Sequence, residues 1–90
     1  IDQTFLRTLQ EIAHDNGDEA MAAELRFHLG RICLNEGDYD EGLEYLLSSL
    51  ETSPAPAELL ARIEDLRDIR KIFTPLELLM LRRELNEKAA

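Results

Sequence analysis

Residues 23–54 decide the fold of this chain and read AELRFHLGRICLNEGDYDEGLEYLLSSLETSP. Apolar residues recur at three- and four-residue intervals on both sides of a sharp turn, Glu36-Gly37-Asp38. That spacing is typical of amphipathic helices, because residues three and four apart lie on the same helix face. The stretch therefore predicts a helical hairpin that turns at Gly37 and ends at Pro54.

The hairpin resembles the tetratricopeptide repeat (TPR), a helix–turn–helix unit of about 34 residues. The positions that carry the resemblance are Leu29-Gly30, Gly37-Asp38-Tyr39, Gly42, Leu46, Ser49 and Pro54. Membership of this family implies a non-catalytic module that binds a peptide or helix of a partner protein. A glycine inside a helix costs about 1 kcal/mol relative to alanine. Gly30 and Gly42 therefore favour a close contact between the two helices of the hairpin.

The resemblance also implies where a partner binds, because in this family the first helix of the hairpin lines a concave groove. The residues here that would face the groove are Glu24, Phe27, His28, Arg31, Leu34 and Asn35. An exposed Phe27 beside Leu34 would be an apolar anchor site, and Glu24 and Arg31 would orient the ligand. The alternative is that Phe27 and Leu34 pack against a neighbouring helix.

Two other functions stay open at this point. The chain is also similar to the presequence receptor of the mitochondrial outer-membrane translocase, on Gly37-Asp38-Tyr39-Asp40-Glu41-Gly42 and Phe73-Thr74-Pro75. That similarity implies a receptor for basic amphipathic targeting peptides. From a different class of function, the apolar last helix suits an assembly or oligomerisation domain.

The segments that flank the hairpin predict an all-α fold of about five helices in a single domain, 1–90. An N-terminal capping helix is expected in 1–17, the hairpin in 18–54 and a C-terminal helix pair in 55–90. The apolar faces of the first two helices are predicted to be Phe5, Leu6, Leu9, Ile12 and Ala13, then Met21, Leu25, Leu29, Ile32 and Cys33.

Helix starts are indicated by capping residues. Asp18 is predicted to accept hydrogen bonds from the free amides of the second helix. Asp38 and Glu41 have the spacing of a capping box, as do Thr74 and Glu77. A fourth helix is predicted from about Ala57 to Lys71.

The net charge of −9 limits the classes of partner. No Lys or Arg lies between Arg31 and Arg62, whereas seven acidic residues do: Glu36, Asp38, Asp40, Glu41, Glu44, Glu51 and Glu58. Nucleic-acid binding requires a basic footprint, so no nucleic acid is expected as a partner. A protein or peptide partner with basic residues fits this charge, and a homo-oligomer is the other arrangement left open.

No catalytic, cofactor or metal site is predicted. His28 and Cys33 are five residues apart, which places them on different helix faces. The single cysteine suits a reducing compartment. No apolar run approaches the ~20 residues of a membrane span, so direct membrane insertion is not expected. A cytoplasmic or cytosol-facing location is the resulting expectation.

Overall fold

The computed structural model of the chain describes residues 3–89, with side chains through residue 88. It contains five α-helices and a short 3₁₀ turn, and no strand in this range. The helices are α1 (Gln3–Asp15), α2 (Glu19–Asn35), α3 (Tyr39–Thr52), α4 (Pro56–Glu64) and α5 (Pro75–Ala89), and the 3₁₀ turn is Ile69–Lys71. The predicted all-α class is confirmed, with α1–α2 and α2–α3 packed as hairpins.

The two hairpin turns end their helices in the same way. Gly17 and Gly37 have φ angles of +75° and +84°, a conformation that glycine adopts without steric cost. After Gly37, the amide of Asp38 donates to the Cys33 carbonyl at 2.9 Å. This is the Schellman arrangement, which satisfies carbonyls left free at a helix end.

Two of the predicted helix starts are confirmed. The Asp18 carboxylate accepts from the Met21 amide at 3.1 Å. At α5, the Glu77 amide donates to the Thr74 hydroxyl at 3.1 Å and the Thr74 amide donates to the Glu77 carboxylate at 2.8 Å. The second pair is a complete capping box.

The capping box predicted at α3 is wrong. The Asp38 side chain makes no capping hydrogen bond. The Glu41 carboxylate instead accepts from the Arg7 guanidinium of α1 at 2.8 Å. A partner 34 residues away therefore replaces the local one.

The central contact of the fold is the crossing of α2 and α3 at two glycines. A Cβ atom built on Gly30 would lie 2.7 Å from Leu46 Cγ, and one on Gly42 would lie 3.1 Å from Leu34 Cδ2. Each position is also within 3.3 Å of the other glycine's carbonyl oxygen. The two backbones can approach this closely only because neither residue has a side chain, as the sequence predicted.

The fourth helix is shorter than predicted. It ends at Glu64 instead of about Lys71, and the chain then turns back through Ile69–Lys71. The amide of Leu66 bonds to the carbonyl three residues earlier, as in a 3₁₀ turn. This turn buries Ile69 and Phe73 in the core, where a continued helix would have carried the chain away from it.

Alternate helices form two layers in a slab of 34 × 32 × 16 Å. In one layer α1 and α3 are joined by Arg7, which donates to the Tyr45 hydroxyl at 3.1 Å as well as to Glu41. In the other layer α2 and α4 are joined by Glu24 and Arg62. The core lies between the layers and includes Leu34, Leu46, Leu50, Leu60, Ile63 and Phe73.

Three residues of the predicted apolar faces are exposed. Phe5, Ile12 and Met21 each present half or more of their surface to solvent, whereas Leu6 and Ala13 are buried. The apolar face of α1 is wider than the contact that α2 and α3 make with it. Its outer half therefore stays uncovered.

Candidate functional site

The polar members of the predicted site share one face of α2. Glu24, His28, Arg31 and Asn35 are spaced by four, three and four residues, which places them in one row along the helix. Asn35 is exposed, and the other three are partly buried. Of these four side chains, the structure places Glu24, His28 and Arg31 in contact with one another.

Glu24 is already engaged by a residue of α4. Arg62 donates from both terminal nitrogens to its two carboxylate oxygens, at 2.7 and 2.6 Å. This hydrogen bond and the positive charge of Arg62 lower the pKa of Glu24. The pair ties α2 to α4, so the carboxylate is not free to orient a ligand.

His28 connects Glu24 to the end of the row. Its Nε2 lies 3.1 Å from the Glu24 carboxylate, and its Nδ1 lies 3.5 Å from Arg31 Nη2. A neutral ring that donates from Nε2 and accepts at Nδ1 satisfies both contacts. The row is thus a continuous polar chain from Arg62 to Arg31 on the surface of α2 and α4.

The exposed apolar anchor expected at Phe27 and Leu34 is wrong. The two side chains are 5% and 2% exposed and belong to the main core. Arg62 covers the Phe27 ring, with its guanidinium carbon 4.5 Å from the ring centroid. Leu34 packs on Gly42 of α3. The alternative, packing against neighbouring helices, is what the structure shows.

A different surface offers partly buried apolar side chains in a concave shape. A groove of about 360 Å³ lies where α3 and α5 face each other beside the start of α4. Its lining is Leu47, Leu50, Glu51, Ser53, Pro56, Leu81, Glu84, Leu85 and Lys88. Leu47, Leu81 and Leu85 are only partly buried, so their methyl groups remain accessible.

The charges around this groove are predominantly acidic. The positive charge of Lys88 is offset by Glu84, whose Oε1 lies 3.4 Å from Lys88 Nζ. Glu51 forms no ion pair with any residue in the described part of the chain. The groove therefore combines an apolar floor with a net negative rim.

The groove was not predicted from the sequence, because it depends on how α3 and α5 are placed relative to each other. One signal was available: the apolar residues of α5 occupy more than one face of the helix, as do Leu43, Leu46, Leu47 and Leu50 on α3. A stripe that wide exceeds what one neighbouring helix covers.

No metal-binding arrangement is found in residues 3–89. No group of three or more His, Cys, Asp or Glu side chains is placed to hold a metal ion there. Cys33 is buried, and the loss of solvation raises the pKa of its thiol to about 11. His14 is occupied by Glu19, at 2.9 Å. Within the same range, none of the helices has the length and apolar character needed to cross a membrane.

Comparison of the chain with protein-family models, with curated proteins and with solved structures gives no match.

Proposed function

We propose that this chain is a non-catalytic protein-interaction module of TPR-like architecture that binds an amphipathic helix of a partner protein. The observation that carries the proposal is the groove between α3 and α5, with its leucine floor and acidic rim. Helix-in-groove recognition uses apolar anchors spaced at i, i+3, i+4 and i+7 on the bound helix. Leu47, Leu81 and Leu85 supply the complementary apolar contacts.

The rim selects the chemistry of the partner. Glu51 lacks a basic partner in the described chain, so its charge is available to a ligand. Lys and Arg on the flanks of a bound helix would offset it, and they would speed association at low salt. A basic amphipathic helix is therefore the partner that we propose.

The polar row on α2 is a supporting surface in this proposal. Glu24 is engaged by Arg62. Asn35 is exposed and Arg31 is partly exposed, so both remain accessible. They lie in the layer opposite the groove, and we assign them no contact with the bound helix.

The test is a titration with a labelled amphipathic peptide, measured by fluorescence anisotropy. The peptide carries leucines at three- and four-residue intervals on one helix face and lysines on the other. We expect Leu85→Glu to weaken binding about 30-fold, because an apolar anchor at the centre of an interface contributes about 2 kcal/mol. Leu79→Glu is the matched control, since Leu79 is an exposed leucine on the same helix outside the groove.

The charge of the rim is tested separately. Glu51→Lys should weaken binding of the peptide and reduce the salt dependence of its affinity. Glu58→Lys should have a smaller effect, because Glu58 is an exposed residue of α4 outside this groove. Equal affinities for wild type, folded Leu85→Glu and Glu51→Lys would show that the groove is not the binding site.

A further inference from the structure

A pocket lined by polar side chains lies between α1 and α3, and α2 contributes to its lining. Its volume is about 340 Å³. The lining residues are Gln10 of α1, Arg26 of α2, and Glu41, Glu44, Tyr45 and Ser48 of α3. None of these residues lines the groove between α3 and α5, so the pocket is separate from the proposed peptide site.

Arg26 is a cation in this pocket that no carboxylate neutralises within the described residues. Its Nε donates to the side-chain oxygen of Gln10 at 2.8 Å, and its Nη1 donates to the Thr52 hydroxyl at 2.6 Å. Both acceptors are neutral, and Nη2 has no acceptor in the same part of the chain. The guanidinium is therefore held in place by α1 and α3, and its charge and the Nη2 hydrogens remain available.

Glu44 is an anion of the same pocket without a counter-ion. It is exposed, and it forms no ion pair or hydrogen bond through its carboxylate within residues 3–89. Its neighbour Glu41 is instead neutralised by Arg7, at 2.8 Å. Arg26 and Glu44 line one pocket and do not pair with each other. The fold thus presents one positive and one negative group, side by side and both unneutralised.

Two hydroxyl groups complete the lining. The Tyr45 oxygen accepts from Arg7 Nε at 3.1 Å, and no acceptor for its own O–H is found in the described chain. The hydroxyl of Ser48 forms no hydrogen bond within that range either. Both side chains are partly buried. Because a hydroxyl can donate and accept, each of them can bond to either end of a charged ligand.

We propose that this pocket binds a small zwitterion, a molecule with one carboxylate and one ammonium group. The carboxylate accepts from Arg26 Nη2 and the Tyr45 hydroxyl, and the ammonium group donates to Glu44. Such charge-assisted hydrogen bonds are stronger than neutral ones. A simple anion would be repelled by Glu44 and a simple cation by Arg26, so a ligand with both charges fits best. This site goes beyond the proposed groove function and does not depend on it.

The experiment is a nitrogen–proton NMR titration of the full chain at low salt, where charged contacts are screened least. The probes are glycine, β-alanine and the longer straight-chain ω-amino acids, which keep both charges and vary only the distance between them. We expect one chain length to bind best and to shift Arg26 Nε together with the amides of Glu44 and Tyr45. Acetate and ethylammonium, which carry one charge each, should bind about tenfold more weakly or less.

Two substitutions remove one charge each. Arg26→Gln and Glu44→Gln should each weaken the best zwitterion about tenfold or more. Arg31→Gln and Glu58→Gln are the matched controls, because both residues lie outside the pocket. Circular dichroism establishes that each variant is folded, and the exposed Glu44 keeps the test available if Arg26→Gln does not fold. No shifts in the pocket with any amino acid, equal binding of acetate, or unchanged binding by Glu44→Gln would overturn the proposal.

Discussion

Gly30 and Gly42 determine how closely the two helices of the central hairpin approach. Each glycine faces the other's carbonyl, and each has a leucine side chain against the position where a Cβ would lie. The space at Gly30 is the tighter of the two. A Cβ built on Gly30 would lie 2.7 Å from the nearest side-chain carbon, whereas one built on Gly42 would lie 3.1 Å from its nearest side-chain carbon. Stability at this crossing therefore depends on volume at two particular residues.

We expect Gly30→Ala to destabilise the protein and Gly42→Ala to cost less. Overpacking costs about 1–3 kcal/mol, against a gain in helix propensity of about 1 kcal/mol. The buried Leu46 cannot move away from a Cβ at position 30. Urea unfolding of both variants measures the difference, and a larger loss for Gly42→Ala would contradict this account of the crossing.

Cys33 illustrates how burial controls a single titrating group. Because its pKa rises from the ordinary 9.0 to about 11 in the folded protein, the folded state retains the proton longer than the unfolded state. The resulting stabilisation is complete below pH 9.0 and is lost as the pH rises toward 11. Urea unfolding of wild type and Cys33→Ala should show a steeper loss for wild type in that window, and parallel losses would contradict the shift.

The same burial makes the thiol unreactive. Because the pKa of the thiol is about 11 in the folded protein instead of 9.0, the thiolate fraction below pH 9.0 is about 100-fold lower. Alkylation by iodoacetamide should accordingly be at least that much slower in the folded protein than in urea. Equal rates would mean that Cys33 is accessible.

At the scale of helices, local signals were predictable and long-range partners were not. The glycine ends of α1 and α2 and the capping box of α5 follow from residues within one turn of each other. Glu41 does not cap α3, because its carboxylate pairs with Arg7, which is distant in sequence. Phe27 failed as a surface residue because α4 covers it. Which half of a wide apolar face is buried depends on such neighbours.

The link between α2 and α4 gives a pH-dependent prediction. The pKa of Glu24 is lowered in the folded protein, mainly by the hydrogen bond from Arg62, so the ionised carboxylate stabilises the fold. That contribution is present above the unfolded value of 4.5 and is lost as the pH falls through the lower folded value. Since both side chains are substantially exposed, we expect it to be below about 1 kcal/mol.

Glu24→Gln should therefore be slightly less stable than wild type at neutral pH, and the difference should disappear well below pH 4.5. Glu58→Gln is the control, because Glu58 is exposed and forms no ion pair within residues 3–89. Chemical unfolding at both pH values is the measurement. A difference that persists in acid would show that Glu24 stabilises the fold by some means other than its charge.

For the molecule as a whole, the layered arrangement separates a polar row, a groove and the two ends of the helical array. The α2–α4 layer presents a polar row whose central carboxylate is internally paired. The opposite layer presents the leucine groove with its acidic rim, and the two ends of the array present apolar faces. The acidic charge was predictable from the sequence. The location of the groove was not, because it depends on the spacing between α3 and α5.

A basic amphipathic helix bound in the groove between α3 and α5 is what the leucine floor and acidic rim predict. The most direct measurement is a methyl NMR titration of the leucine-labelled chain with the leucine–lysine peptide. We predict that the largest shifts fall on Leu47, Leu81 and Leu85, while Leu25 and Leu29 of α2 stay unchanged. Shifts confined to α2 or to the two ends of the array, or no shifts at low salt, would contradict binding in the groove.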